Sequence, residues 1–363
     1  MDLSFTDEQQ FLREAVRGAI DREASLTTVR GWVIEPEPWP HFGDALALAA
    51  RQGWTGIGID EEHGGQGGDL LELAILAEEL GRGAVPADGL YATLLAATAL
   101  SAAAGEGAKA AIEALALGER IGALVHPAGQ PADARHGGGT VELVLGAGEA
   151  DVLVKWDGDA LELYDAPGAE CTPRLLVDRT RSVADVALLA SPRTRYEGVG
   201  CDAMRSVAAR AAVLVAADAL GAAQRMLDMT VEYVADRRQF GVAVGSLQAV
   251  KHAAAEMLVA IEGTRAAVHY AAWSVAAGEP DAAVDAWVAK ARSARAASFV
   301  ADKALFLHGA VGYTWEHDLQ LLFKRAKSDA ELFGGGGVYD DRIADALDLA
   351  PSVSVLAASG GEG

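Results

Sequence analysis

The sequence predicts an α+β protein in three successive parts: an N-terminal helical domain, a small middle β domain and a C-terminal four-helix bundle. Three observations carry this. Apolar residues recur at helical spacing from residue 1 to 118; short β-rich runs broken by Gly, Pro and Asp fill 119–200; long helical units return from 201 to 349. The last stretch, 350–363, is rich in Ser and Gly and reads as a disordered tail.

In the first part, Thr6 and Gln9 have the spacing of a capping box, and Asp7 and Glu8 suit the positive start of a helix. Phe11, Leu12, Ala15, Val16 and Ile20 then share one helical face. Trp54–Ile59 leads into a glycine-dense stretch ending at Gly68, a turn-rich loop. Asp69 and Glu72 repeat the capping logic before Leu70, Leu73, Leu76 and Leu80, with Gly81 expected to close the helix. In the middle part, Val141–Leu145, Val152–Trp156 and Leu161–Tyr164 read as strands of an antiparallel sheet. The third part reads as four helices: about 203–235, about 247–277 ending at Gly278, 280–308 with Pro280 in the first turn, and one from beyond Trp315 to about 332.

The chain has 363 residues, 51 % of them hydrophobic, which can bury a substantial core. Its 30 basic and 52 acidic residues give a net charge of −22, which argues against nucleic acid or an anionic membrane as partner. Two cysteines, Cys171 and Cys201, make neither a disulfide framework nor a metal-ligand spacing, and no metal is expected. The N-terminal residues lack a basic region followed by an apolar one, and charges such as Arg210 and Asp218 break the longest apolar stretch. A cytoplasmic protein with no membrane span is expected.

The most informative run is Asp236-Arg237-Arg238-Gln239-Phe240-Gly241, between two long helical segments. Gln248 follows it, and His308-Gly309-Ala310-Val311-Gly312-Tyr313 lies further on. By residue chemistry alone, Arg237 and Arg238 could charge a helix C-terminus, and Gly309 and Gly312 could make a helix cap and tight turn. Glu61-Glu62-His63-Gly64-Gly65, Ala123-Leu124-Val125-His126-Pro127-Ala128-Gly129 and Gly146-Ala147-Gly148-Glu149-Ala150-Asp151 complete the pattern. Their shared order resembles the acyl-CoA dehydrogenase superfamily over nearly the whole chain.

That resemblance implies a flavoprotein that binds FAD and desaturates an acyl-CoA thioester between its α and β carbons. It implies that Arg237 reaches the dinucleotide's pyrophosphate, usually across a subunit boundary, with a permanently charged fork suited to that task. Phe240, Gln248, His308, Gly309 and Gly312 fall at the family's other cofactor-side positions. It also implies a homodimer, homotetramer or heterotetramer with a second acyl-CoA dehydrogenase chain, and electron-transfer flavoprotein or a similar acceptor.

The sequence departs from the family at the catalytic base. Well-known members read Arg-Asp-Ala-Lys and then a glutamate that removes the Cα proton. Here Lys324-Arg325-Ala326-Lys327 is followed, at the glutamate's place, by Phe333 and four glycines. Two displaced bases remain: Glu331, two residues earlier, and Asp218, an acid within an apolar run; a solvated helix-end glutamate and a paired structural aspartate are their plain alternatives. Four readings stay open: an acyl-CoA dehydrogenase with a displaced base, a degenerate partner subunit of a heterotetramer acting on steroid or fatty thioesters, a flavin oxygenase or oxidase on the same fold, and a non-enzymatic helical scaffold, against which the surviving flavin-type arginine Arg237 argues.

Overall fold

The computed structural model describes residues 5–34, 42–134, 139–239 and 241–347. Phe240 and the segment 350–363 lie outside the described residues.

Six helices form the first region: α1 (Asp7–Glu23), α2 (Leu26–Ile34), α3 (Phe42–Arg51), α4 (Leu70–Arg82), α5 (Asp88–Ser101) and α6 (Glu106–Ala116). Both predicted capping boxes form, Thr6 with Gln9 and Asp69 with Glu72. Gly81 does not close α4. The helix runs on to Arg82, and Gly83 follows as its cap. Gly81 serves a different end: a Cβ there would overlap the Asp218 carbonyl, and one at Gly221 would overlap the Glu78 carbonyl. Two glycines without side chains thus bring two helix backbones into direct contact.

Among the described residues, the middle region holds seven strands in two sheets. β1 (Gly122–Leu124), β3 (Val152–Trp156), β4 (Ala160–Asp165) and β7 (Thr194–Glu197) make one, in the order β1-β3-β4-β7. β2 (Val141–Leu145), β6 (Val183–Leu188) and β5 (Ala169–Arg174) make the other. Alternate residues such as Val125, Val144, Leu153, Tyr164 and Val186 pack together as a separate apolar core. The expected antiparallel arrangement fails at one place: β1 runs parallel to β3, Gly122 opposite Val152. Between them the chain crosses to the other sheet to form β2, so it returns in its original direction. β2 itself carries a bulge at Leu143, whose φ of 56° turns that side chain outward.

The third region begins with α7 (Cys201–Asp236), which passes through the centre of the molecule. Arg210 and Asp218 do not break it. It is long and apolar enough to cross a membrane, yet 89 % of its apolar window is buried inside the protein, as a core helix requires. A short hairpin of Arg238–Gln239 with Val242–Ala243 leads to α8 (Gln248–Ala277), α9 (Ala282–His308) and α10 (Leu319–Glu331), which pack with α7. A fifth helix, α11 (Gly336–Ala346), packs on α9 and was not expected from the glycine run where it starts.

Candidate active site

A cleft of about 430 Å³ opens between α10, the turn at Ala128 and Gly129, β2, and the segment leading into β6. Its walls are mainly apolar, with Leu143, Leu145, Leu176, Val183, Phe323 and Leu332. Polar groups enter at few points: Asp178 and Arg181 from the β region, and Lys324, Lys327 and Glu331 from α10. Lys324 lies 3.6 Å from the centre of the Trp315 ring, and Lys327 pairs with Asp302 at 2.8 Å.

Asp178 and Arg181 spring from one tight turn, closed by the Arg181 N–H donating to the Asp178 carbonyl at 3.3 Å. The Asp178 side chain is 1 % exposed. Its Oδ1 accepts from the Thr180 N–H at 2.9 Å and the Thr180 hydroxyl at 2.6 Å, while its buried Oδ2 has no partner. The buried Arg181 guanidinium donates to Asp88 at 2.5 Å and to Asp329, and its Nε has no partner. Neither residue was singled out in the sequence. The visible signal was an Asp-x-Thr turn flanked by arginines just before a strand.

Behind the cleft lies a buried charge cluster. Arg325 holds Asp218 in a two-pronged pair at 2.9 and 2.7 Å and donates to the Thr180 hydroxyl at 2.9 Å. The Tyr91 hydroxyl donates to the same Asp218 carboxylate at 2.7 Å. Burial alone would raise the Asp218 carboxyl, but Arg325 and Arg181 outweigh it and hold it below the ordinary carboxylate range. Asp329 goes the other way: burial, with Asp218 nearby, lifts it well above that range.

This corrects the candidacy of Asp218 as a displaced base. Its oxygens are filled by Arg325 and Tyr91, it is fully buried, and it is held ionised by structural cations. Glu331 is placed differently: it ends α10 in solvent and borders the cleft. The Phe333 ring joins the main apolar core and is 4 % exposed. Its backbone is fixed on every side. The Phe333 N–H donates to the Ala128 carbonyl at 2.5 Å, and its own carbonyl accepts from the Tyr339 hydroxyl at 2.7 Å. Lys290, fully buried and pushed down to about 8 by burial, donates to the carbonyls of Asp329, Ala330 and Gly334 at 2.9–3.1 Å.

The residues expected to face a dinucleotide gather elsewhere, at the far end of α7. Arg237 is exposed, its guanidinium lying 5.4 Å from the Tyr233 ring and bonded to that hydroxyl. Tyr233 stacks on His308 at 4.5 Å, and the Tyr233 hydroxyl donates to the His308 carbonyl at 3.2 Å. Burial lowers the basicity of His308, against the opposing pull of its ring's hydrogen bond with the Ala304 carbonyl. Gly309, with φ of 64°, turns the chain out of α9, and Gly312 is buried in the next turn. Gln248 is exposed at the first turn of α8. Arg237 and His308 are thus brought together through Tyr233, but neither they nor Gln248 line the cleft. The cleft's mainly apolar walls, with a few polar groups at its rim, fit a flat, partly polar ring system, the chemistry a flavin presents.

Residues 6–118 match the family model for the acyl-CoA dehydrogenase N-terminal domain, and residues 198–347 match that for the C-terminal domain. The chain is 34 % identical over 334 residues to the acyl-CoA dehydrogenase IpdE2 of Mycolicibacterium smegmatis (strain ATCC 700084 / mc(2)155), covering 91 % of this chain and 95 % of that protein. Among solved structures, a chain of the ChsE4–ChsE5 complex from Mycobacterium tuberculosis is similar with a TM-score of 0.84 and 26 % identity, covering 97 % of this chain and 100 % of that one. A Tcur3481–Tcur3483 steroid ACAD variant shares the fold at a TM-score of 0.81, with 24 % identity over 94 % of this chain and 98 % of that one.

Proposed function

The chain belongs to the acyl-CoA dehydrogenase family, and from that premise we propose that it is an FAD-dependent subunit of an oligomeric enzyme that introduces an α,β double bond into an acyl-CoA thioester. The observation that carries this is the apolar cleft between α10 and the β region, with Glu331 at its edge. FAD, when bound, supplies the hydride acceptor. The chain supplies the surroundings: apolar walls that exclude water, and Glu331 as the acceptor for the Cα proton.

Arg237 serves a neighbouring subunit's dinucleotide in this reading. It stands nineteen residues beyond Asp218 on one helix, or about 28 Å at 1.5 Å per residue. That is further than a flavin ring lies from its own pyrophosphate. Each chain then carries a ring side and a phosphate side belonging to two different cofactors. An electron-transfer flavoprotein or similar acceptor would reoxidise the flavin.

A second reading is favoured by the Phe333 ring in the core and the Asp218 carboxylate locked to Arg325. Here the proton acceptor comes from a second acyl-CoA dehydrogenase chain, and this chain contributes flavin binding. One experiment separates the two. The chain is purified alone and with a co-expressed second chain, and flavin absorbance is followed on adding acyl-CoAs. Bleaching by the chain alone that Glu331→Gln reduces at least 100-fold supports Glu331. Bleaching only in the mixed assembly, indifferent to Glu331→Gln, transfers the base to the partner. Absence of flavin from both preparations would sink both readings.

A further inference from the structure

A second pocket, of about 280 Å³, lies between the 58–63 loop, the C-terminal half of α5, Ile112 of α6 and the first turns of α7. It shares no residue with the cleft at α10. Arg210 enters it from α7 and is half-buried there. Among the described residues its guanidinium makes no hydrogen bond or ion pair, and none of its nitrogens is sealed from solvent. Burial lowers its basicity, and the opposing pull comes from Asp69. That carboxylate is already engaged, since it caps α4 by accepting from the Leu71 N–H at 2.7 Å. A desolvated cation without a counter-charge costs stability, and such groups are kept where they meet a ligand. We propose that this pocket binds a small organic acid, its single carboxylate held by Arg210 and its hydroxyl or ammonium group donating to the acceptors on the facing wall.

The lining decides what kind of acid fits. Ser206 lies one turn before Arg210 on the same helix face, and its hydroxyl has no partner among the described residues, so it can donate to the same carboxylate. The α5 hydroxyls are different. Thr98 donates to the Leu94 carbonyl at 2.8 Å and Ser101 to the Thr98 carbonyl at 2.7 Å. Their protons are engaged within the helix, so they offer the pocket only lone pairs. The Asp60 carboxylate also lines the pocket and makes no ion pair with Arg210, while His63 turns to Glu62 at 3.5 Å. A guanidinium fork suits carboxylate and phosphate alike. A doubly charged phosphate would face Asp60 with like charge and bring no donor for Thr98 or Ser101, which selects the monocarboxylate. The volume falls just below the usual range for drug-sized ligands, roughly 300–1,000 Å³, and suits a body of a few carbons resting on Ile59, Ala97 and Ile112.

The site stands apart from the dehydrogenase reading and is tested without it. The full chain, alone or in its co-purified assembly, is titrated by calorimetry with 3-hydroxybutyrate, 3-aminobutyrate, butyrate and phosphate, and its melting midpoint is followed with each. One of the first two acids is expected to bind about tenfold or more tightly than butyrate, the size of one hydrogen bond to a charged or buried acceptor, and the tighter of them identifies the donor. Arg210→Met is expected to abolish binding, and Arg210→Lys to weaken it by losing the fork. Without ligand, Arg210→Met is expected to leave the midpoint unchanged or raise it, because no ion pair is lost. A fall in that midpoint would mean that the guanidinium is satisfied inside the protein, and overturns the proposal. No response to any of the acids at tens of millimolar overturns it, as does binding that survives Arg210→Met. Tighter binding of phosphate overturns the carboxylate assignment, and equal binding of butyrate overturns the role of the facing acceptors. A change of oligomeric state in Arg210→Met, with no acid bound by the native protein, gives the guanidinium to a neighbouring chain's carboxylate and removes the small-molecule site.

Discussion

Arg325 and Asp218 are 107 positions apart in the chain, yet they form a two-pronged ion pair in the interior. Asp218 was conspicuous in the sequence as an acid inside an apolar run. Its partner was not, because no local spacing connects α7 to α10. Arg325 stands where well-known relatives have an aspartate, and that reversal explains why a carboxylate is tolerated opposite it. Removing one partner leaves a buried charge uncompensated, whereas replacing both by apolar groups can be nearly neutral. Arg325→Met is therefore expected to cost roughly 3–5 kcal/mol by urea unfolding, and adding Asp218→Leu is expected to return most of it. Additive losses in the double variant would show that the pair carries no coupling. The same long-range logic hid Asp178 and Arg181, whose significance appears only once α10 closes the cleft over their turn.

Local signals at the level of helices and strands were read well where the chain speaks in short-range terms. Val141–Leu145 and Val152–Trp156 form with the predicted bounds, and the caps at Thr6 and Asp69 form as spaced. Failures came where neighbours decide. No helix was expected beyond about residue 332, yet α11 starts within a run of four glycines because α9 gives its apolar face a surface to cover. Gly81 looked like a terminator and is instead a contact point between α4 and α7. Gly221→Ala is expected to destabilise the protein by more than about 2 kcal/mol, because a new methyl group meets the Glu78 backbone rather than a yielding side chain. Thermal melting checks it. An unchanged midpoint would mean that the two helices can part without loss.

Across the whole molecule, the buried charges tie three regions to one another: Asp88 from the first, Arg181 from the second, Asp218 and Asp329 from the third. The order of those regions and the family were legible from the sequence, since both rest on motifs in linear order. The distance between the cleft and the group of Arg237 and His308 was not, since it depends on α7 running straight through the centre. That unbroken helix has a genetic corollary. In the proposed arrangement a lesion in the cleft damages only the ring half of a site, and Arg237→Gln only the phosphate half. In a symmetric assembly, a strain producing both defective chains together should recover intact sites by interallelic complementation, although neither allele works alone. Flavin content in the co-expressed mixture near one quarter that of the native protein is the expected yield for a freely assorting dimer, since half the dimers are mixed and each of these has one intact site of two, and no recovery would place both halves of each site within one polypeptide.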